Sequence, residues 1–238
     1  MVFVSHSMAQ NTKSRYKDVN QEREKLLRES LIQPSSELSR EKGDLIRHHP
    51  DIKQGESTPG WNWFKDMGGS GRDRGNDLVT DSLGHSYVAG SFSGEISYQG
   101  INYVSDGLRE AFVTGLDTSG KLLWFTKYAT VSPGKTDINA ITKGPAGYLW
   151  VTGYFSGSLE AGDEHFTGEA EENLFYSRLD TNGNVLWTDY INFQERGVEG
   201  IDIDIDSTGD IYLLAQGDSS MILKLDRSGN ILWTIRED

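Results

Sequence analysis

The chain has 238 residues, enough for one large domain or two small ones, and no cysteine, which excludes disulfides, thiol catalysis and thiolate metal sites. Its formal charge of −13 is unevenly spread: residues 1–57 hold 10 Lys+Arg against 9 Asp+Glu, while the remainder holds 13 against 27, so a nucleic-acid partner is not expected there. No apolar run reaches the length of a membrane-spanning helix.

Residues 1–57 read as an arm, helical in places and otherwise disordered. Met1-Val-Phe-Val-Ser-His lacks the basic segment and long apolar stretch of a signal peptide, and Met8 is an alternative start. A helix is predicted from Asp18 to about Ile32: Asp18 caps it, Val19, Leu26, Leu27 and Leu31 form a narrow apolar stripe, and Pro34 stops it. A weaker helix follows from Ser36 to about Arg47. The arm has too few apolar residues for a core of its own, so the rest of the chain is expected to fold without it. His48 and His49 have no companions to complete a metal site. Residues 58–60 close a linker that starts at Gln54.

From Trp61 the texture changes to short strands rich in Val, Ile, Tyr, Phe and Trp, separated by turns of Gly, Asp, Ser and Asn. The phrase Asp117-Thr-Ser-Gly-Lys-Leu-Leu-Trp124 returns as Asp180-Thr-Asn-Gly-Asn-Val-Leu-Trp187 and as Asp226-Arg-Ser-Gly-Asn-Ile-Leu-Trp233. Trp63 ends an earlier partial copy, and Trp63-Phe64 matches Trp124-Phe125. A second phrase recurs at residues 81–94, 144–157 and 206–215. Gly84, Gly120, Gly147, Gly183, Gly209 and Gly229 hold the turn position that calls for positive φ. Each unit then has four strands, in the first near 76–80, 86–92, 111–116 and 122–128. The predicted fold is all-β: a partial β-propeller of about three four-stranded antiparallel blades, over about 64–128, 129–191 and 192–238. In the third unit only 6 residues separate Ala215 from Met221, where 22 separate Gly90 from Phe112.

Residues 87–100 (Tyr-Val-Ala-Gly-Ser-Phe-Ser-Gly-Glu-Ile-Ser-Tyr-Gln-Gly) and 110–124 (Glu-Ala-Phe-Val-Thr-Gly-Leu-Asp-Thr-Ser-Gly-Lys-Leu-Leu-Trp) resemble the SBBP-type bacterial β-propeller repeat. The resemblance covers residues 61–238. It implies a propeller scaffold, frequent in cell-surface or secreted bacterial proteins, and no shared catalytic residues. The lack of a signal peptide points instead to the cytoplasm. The Asp-x-x-Gly-x-x-x-Trp phrase also resembles the tryptophan motif of quinoprotein propellers, but three units and no cysteine pair do not suit a pyrroloquinoline quinone enzyme.

In such a blade the turns after strands one and three share one end, and here they are short and regular. The connections at the other end are long and varied, so ligand-binding residues are expected there. The candidates are Arg72, Asp73, Arg74, Tyr98, Tyr103, Arg109, Lys135, His165 and Arg196, each with the alternative of a plain solvated loop residue. Residues 68–75 are glycine-rich, but Arg74 stands where the last Gly of a phosphate-binding loop belongs. With His85 and His165 the sole histidines after residue 60, acid–base catalysis is poorly supplied. Asp202, Asp204 and Asp206 alternate along one strand face, roughly 7 Å apart. They are candidate Ca²⁺ ligands, as is the acidic loop of Glu160, Asp163, Glu164, Glu169, Glu171 and Glu172. Solvated acidic surface is the alternative, and the EF-hand pattern is not matched.

Three functions follow. The first is a non-catalytic binding or scaffold module for a protein or surface polysaccharide. The second is a truncated or degenerate propeller without activity of its own. The third is a carbohydrate-active hydrolase using exposed Tyr98 and Tyr103 beside loop carboxylates. Three blades leave two faces uncovered. The chain is therefore expected to self-associate, as two halves of a six-blade ring, or to be marginally stable alone. In the third unit Ile201, Ile203 and Ile205 are expected to pack on the second.

Overall fold

The computed structural model describes residues 65–131, 133–169, 171–193 and 197–236; the arm, the linker, Trp63 and Arg196 lie outside them. The described residues form sixteen strands and no helix. Blade I contains β1 (Arg74–Thr80), β2 (Ser86–Phe92), β3 (Glu95–Tyr98), β4 (Ile101–Val104), β5 (Glu110–Leu116) and β6 (Leu122–Tyr128). Blade II contains β7 (Lys135–Lys143), β8 (Leu149–Ser156), β9 (Ser158–Ala161), β10 (Glu164–Thr167), β11 (Asn173–Leu179) and β12 (Val185–Ile191). Blade III contains β13 (Glu199–Ile205), β14 (Ile211–Gln216), β15 (Ser220–Leu225) and β16 (Ile231–Arg236). The three sheets run β1-β2-β5-β6, β7-β8-β11-β12 and β13-β14-β15-β16, all antiparallel, and none closes into a barrel. This is the partial, propeller-like array that the repeat predicts.

The long connections of blades I and II are not simple loops. Each folds into a hairpin, β3–β4 and β9–β10, that blade III lacks, which accounts for its short spacing. Glu160 of β9 exchanges two backbone hydrogen bonds of 2.9 Å with Ala129, just past the outer strand of blade I. Ser97 of β3 does the same with Gly68, at 3.0 and 3.2 Å. Gly68 lies as far beyond Trp63 as Ala129 lies beyond Trp124, so the segment before β1 occupies the place of a preceding blade's outer-strand end.

Every turn between strands one and two, and between three and four, has the same backbone frame. The first residue accepts from the fourth, a glycine, and donates to the fifth. All six of those glycines have φ between +73° and +90°, where a Cβ would be strained. In five of the six turns an aspartate opens the frame and its Oδ1 accepts the N–H groups two and four residues on, as in Asp180 with Asn182 and Asn184 at 2.8 and 2.9 Å. The sixth begins with Gly144.

The middle strands β5, β8 and β11 are buried along nearly their whole length: blade II lies between blades I and III, and blade I between blade II and its own β3–β4 hairpin. Their buried hydroxyls bond within the sheet: Thr114 to Trp124 O at 2.8 Å, Thr152 to Phe175 O at 2.8 Å, Ser177 to Trp187 O at 3.0 Å. Two apolar cores result. One lies between blades I and II around Tyr87, Tyr128, Phe155 and Phe175; the other lies between II and III around Tyr176, Ile203, Leu213 and Leu223. A smaller cluster packs β3–β4 onto blade I through Ile96, Phe92 and Phe112.

Each innermost strand carries a one-residue bulge. In β1 and β7 the bulged residue is an asparagine that reaches the next blade: Asn76 Nδ2 donates to Ile138 O at 2.7 Å, and Asn139 Nδ2 to Gly200 O at 2.8 Å. In β13 it is Ile201. The strict Ile/Asp alternation of residues 201–206 therefore does not survive in space. Ile203 is buried and Ile205 half-buried against blade II, but the bulge leaves Ile201 exposed.

Two outcomes are expected. Gly183→Ala places a Cβ about 2.5 Å from the Trp124 ring at φ +85°, whereas Gly147→Ala, at φ +86°, meets nothing within 4 Å. Urea unfolding should show a loss of about 1 kcal/mol for Gly147→Ala and about 3 kcal/mol for Gly183→Ala, where overpacking adds to the strain. The second outcome concerns acid. Asp206 lies at about 2, held down by the Thr208 hydroxyl and by backbone N–H groups. Burial would raise Asp81, but bonds from His85, Tyr87 and Leu83 outweigh it and also bring it to about 2. Asp117, Asp180 and Asp226 are lowered in the same way. A carboxylate whose pKa is depressed on folding stabilises above its unfolded value and loses that contribution as protons are added. The melting temperature should therefore hold above pH 4 and fall as the pH drops from about 3.8 toward 2; an unchanged melt across that window would contradict this account of the turns.

Candidate functional site

The end of the array opposite the short turns gathers charged side chains from all three blades. Arg109 immediately precedes β5, and its carbonyl accepts the N–H of Thr136, which sets it beside the start of β7. Arg109 Nη2 lies 2.9 Å from Asp137 Oδ2 and donates to the Tyr154 hydroxyl. Asp137 also accepts from Asn76 of blade I at 3.1 Å, and its side chain is only 5% exposed. Lys135 Nζ pairs with Glu172 at 2.8 Å and sits 5.0 Å from the centre of the Tyr154 ring. Glu199 of β13 closes the row beside Asn139.

The electrostatics follow from this crowding. Burial raises the Glu199 pKa, and the charges of Glu172 and Asp137 push it further up. Its contribution to stability thus runs opposite to that of the turn aspartates, present at acid pH and lost as the carboxyl ionises. Burial and the nearby Asp137 raise Tyr154. Burial would lower Lys135, but the bond from Glu172 outweighs it and the pKa rises. Both cations are matched by carboxylates: Arg109–Asp137 clamps blade I to blade II, while Lys135–Glu172 lies within blade II.

The sequence candidates scatter around it. Arg109 and Lys135 come together. Arg72 is exposed, with its backbone N–H on the Ser93 hydroxyl, and Asp73 caps the loop at Gly69 N at 2.7 Å. Arg74 opens β1 and is exposed. His165 lies on β10, exposed, 3.5 Å from Glu160. Tyr98 and Tyr103 correct the expectation of exposed aromatics. Tyr98 is 3% exposed with its hydroxyl on Gly120 O at 2.6 Å, and Tyr103 is stacked on Phe125 at 3.8 Å. Asp202 and Asp204 each accept the backbone N–H of the following residue, while Asp206 belongs to the turn frame. Among the described residues no three of His, Asp and Glu are grouped so as to hold a metal ion. Asp137, Tyr154 and Glu199 escaped the sequence reading because their partners sit on other strands; the one signal was their position at strand ends beside long connections.

These features define a class: an open array of four-stranded antiparallel blades, all-β and propeller-like, with one buried ion pair, Arg109–Asp137, joining two of its blades. No helix among the described residues is long and apolar enough to cross a membrane. No protein-family model and no curated protein matches the chain. Among solved structures, a Bacteroides caccae protein of unknown function is similar with a TM-score of 0.43 and 12% identity, over 70% of this chain and 47% of that one. The chain thus spans about half the length of that protein.

Breaking the buried pair should separate it from the exposed one. Arg109→Met leaves Asp137 buried without its cation and should cost about 3 kcal/mol, whereas Lys135→Met, at a pair about one-third exposed, should cost less than about 1 kcal/mol. Chemical denaturation of the two variants checks the order.

Proposed function

We propose that the β region is a non-catalytic binding module that works by assembly, its partner a protein surface, foremost a second copy of its own blades. The observation that carries this reading is the outward face of blade III. Leu214, Ile222 and Ile235 are paired across β14, β15 and β16, and they are 39, 42 and 59% exposed. Trp233, 40% exposed, stands beside them against Tyr212. The equivalent Trp124 and Trp187 are packed on the next blade's turn instead. A row of large apolar side chains in register is the kind of surface that blades bury elsewhere in this chain. The resemblance to a scaffold repeat supports the same reading. The glycan-hydrolase reading draws less support from its aromatics, since Tyr98 is buried and Tyr103 is half-buried against Phe125.

Light scattering after size exclusion tests it. The full chain should form dimers or larger species at micromolar concentration, and Ile222→Glu with Ile235→Lys should return a monomer that still melts cooperatively. A wild-type chain that stays monomeric across that range would overturn assembly through this face.

A further inference from the structure

At the short-turn end, blades II and III enclose a recess of about 330 Å³. Its walls include Tyr148, Trp150 and Arg178 of blade II, and Ser207, Thr208 and Arg227 of blade III. The Arg178 guanidinium lies over the Tyr148 ring at 5.1 Å and over the Trp150 ring at 5.6 Å. Its Nε is buried with no hydrogen-bond partner, and among the described residues Arg178 forms no ion pair.

The repeat itself shows what is missing. In blade III the residue facing the first-hairpin aromatic is Lys224, opposite Tyr212. Lys224 Nζ sits 5.0 Å above that ring, 2.8 Å from Asp210 and 3.8 Å from Asp206, the two carboxylates of its own first turn. In blade II the same register places Arg178 opposite Trp150. The turn positions of Asp206 and Asp210 are there Gly144 and Tyr148. In blade I the cation is replaced by Gly115 opposite Tyr87, and Asp81 is satisfied by His85 and Tyr87. Blade II alone keeps the cation and has lost both anions.

A guanidinium whose faces are held by aromatic rings presents its N–H fork at the rim, a geometry matched to a carboxylate. The Ser207 and Tyr148 hydroxyls offer neutral partners, while the Thr208 hydroxyl is already committed to Asp206 at 2.6 Å. Gly144 keeps the floor open: a Cβ there would lie 3.2 Å from Trp150 Nε1. We propose that this recess binds a carboxylate-bearing ligand of monosaccharide size, a hexuronate, with its carboxylate on Arg178 in the place that Asp206 and Asp210 fill beside Lys224. This site is separate from the assembly face of blade III and stands without it.

The test is a titration of the full chain with glucuronate, glucose and sulfate, followed by calorimetry and by tryptophan fluorescence, since Trp150 lines the recess. Glucuronate should bind saturably with affinity of order millimolar, at least tenfold more tightly than glucose or sulfate. Arg178→Met should weaken it by about tenfold or more. Tyr148→Asp, which puts a carboxylate at the position of Asp210, should do the same by occupying Arg178 from within, with the cooperative melt retained. This second variant decides the matter if Arg178→Met fails to fold. Glucose binding as tight as glucuronate, sulfate binding tighter than both, no saturable binding, or binding unchanged in Tyr148→Asp would each overturn the proposal.

Discussion

Trp124 packs directly on Gly183. Its indole Nε1 donates to Thr181 O at 2.9 Å, and Thr126 Oγ1 donates to Gly183 O at 2.6 Å, so the outer strand of blade I is fastened to the last turn of blade II. The contact requires a residue with neither a side chain nor a preference against positive φ, and both demands fall on one glycine. Trp187 repeats it against Gly229, where an added Cβ would meet the ring at 2.6 Å. Blade spacing at the outer rim follows from these two contacts.

At the inner rim the fastening is polar. Bulged asparagines in β1 and β7 reach across to the carbonyls of the next inner strand, and Asp77 Oδ2 accepts Ile141 N at 2.9 Å. Between the rims, buried aromatic and aliphatic side chains fill the gap and supply most of the stabilisation. The array is thus held by two kinds of directional contact with a non-directional core between them. The directional contacts set blade angle and register, which hydrophobic burial alone would leave loose.

Blade III departs from this plan at three points, and each departure exposes apolar surface. Ile201 replaces the asparagine latch, Trp233 has no described turn to rest on, and the outward faces of β14 and β15 present Leu214 and Ile222. Blade II departs at one point, where Gly144 and Tyr148 stand in the places of blade III's Asp206 and Asp210 and leave Arg178 without an ion pair among the described residues. In a repeat protein such breaks are informative, because the other copies show what the position does when it serves structure alone.

What the sequence determined by itself is local. An aspartate followed three residues on by a glycine closes five of the six short turns, because the carboxylate bonds to N–H groups two and four residues on, and the glycine tolerates φ near +80°. Strand limits between such turns are therefore legible, and the blade I strands lie within two residues of where the pattern put them. Tertiary structure decided the rest. The hairpins β3–β4 and β9–β10 hide in polar connections, and only docking onto a neighbouring strand buries Tyr98 and Leu159 and half-buries Phe166. A bulge, invisible in a perfect alternation, turned Ile201 outward. The surroundings of Arg178 depend on which residues face it across strands and turns, and that pairing exists only once the sheet has formed.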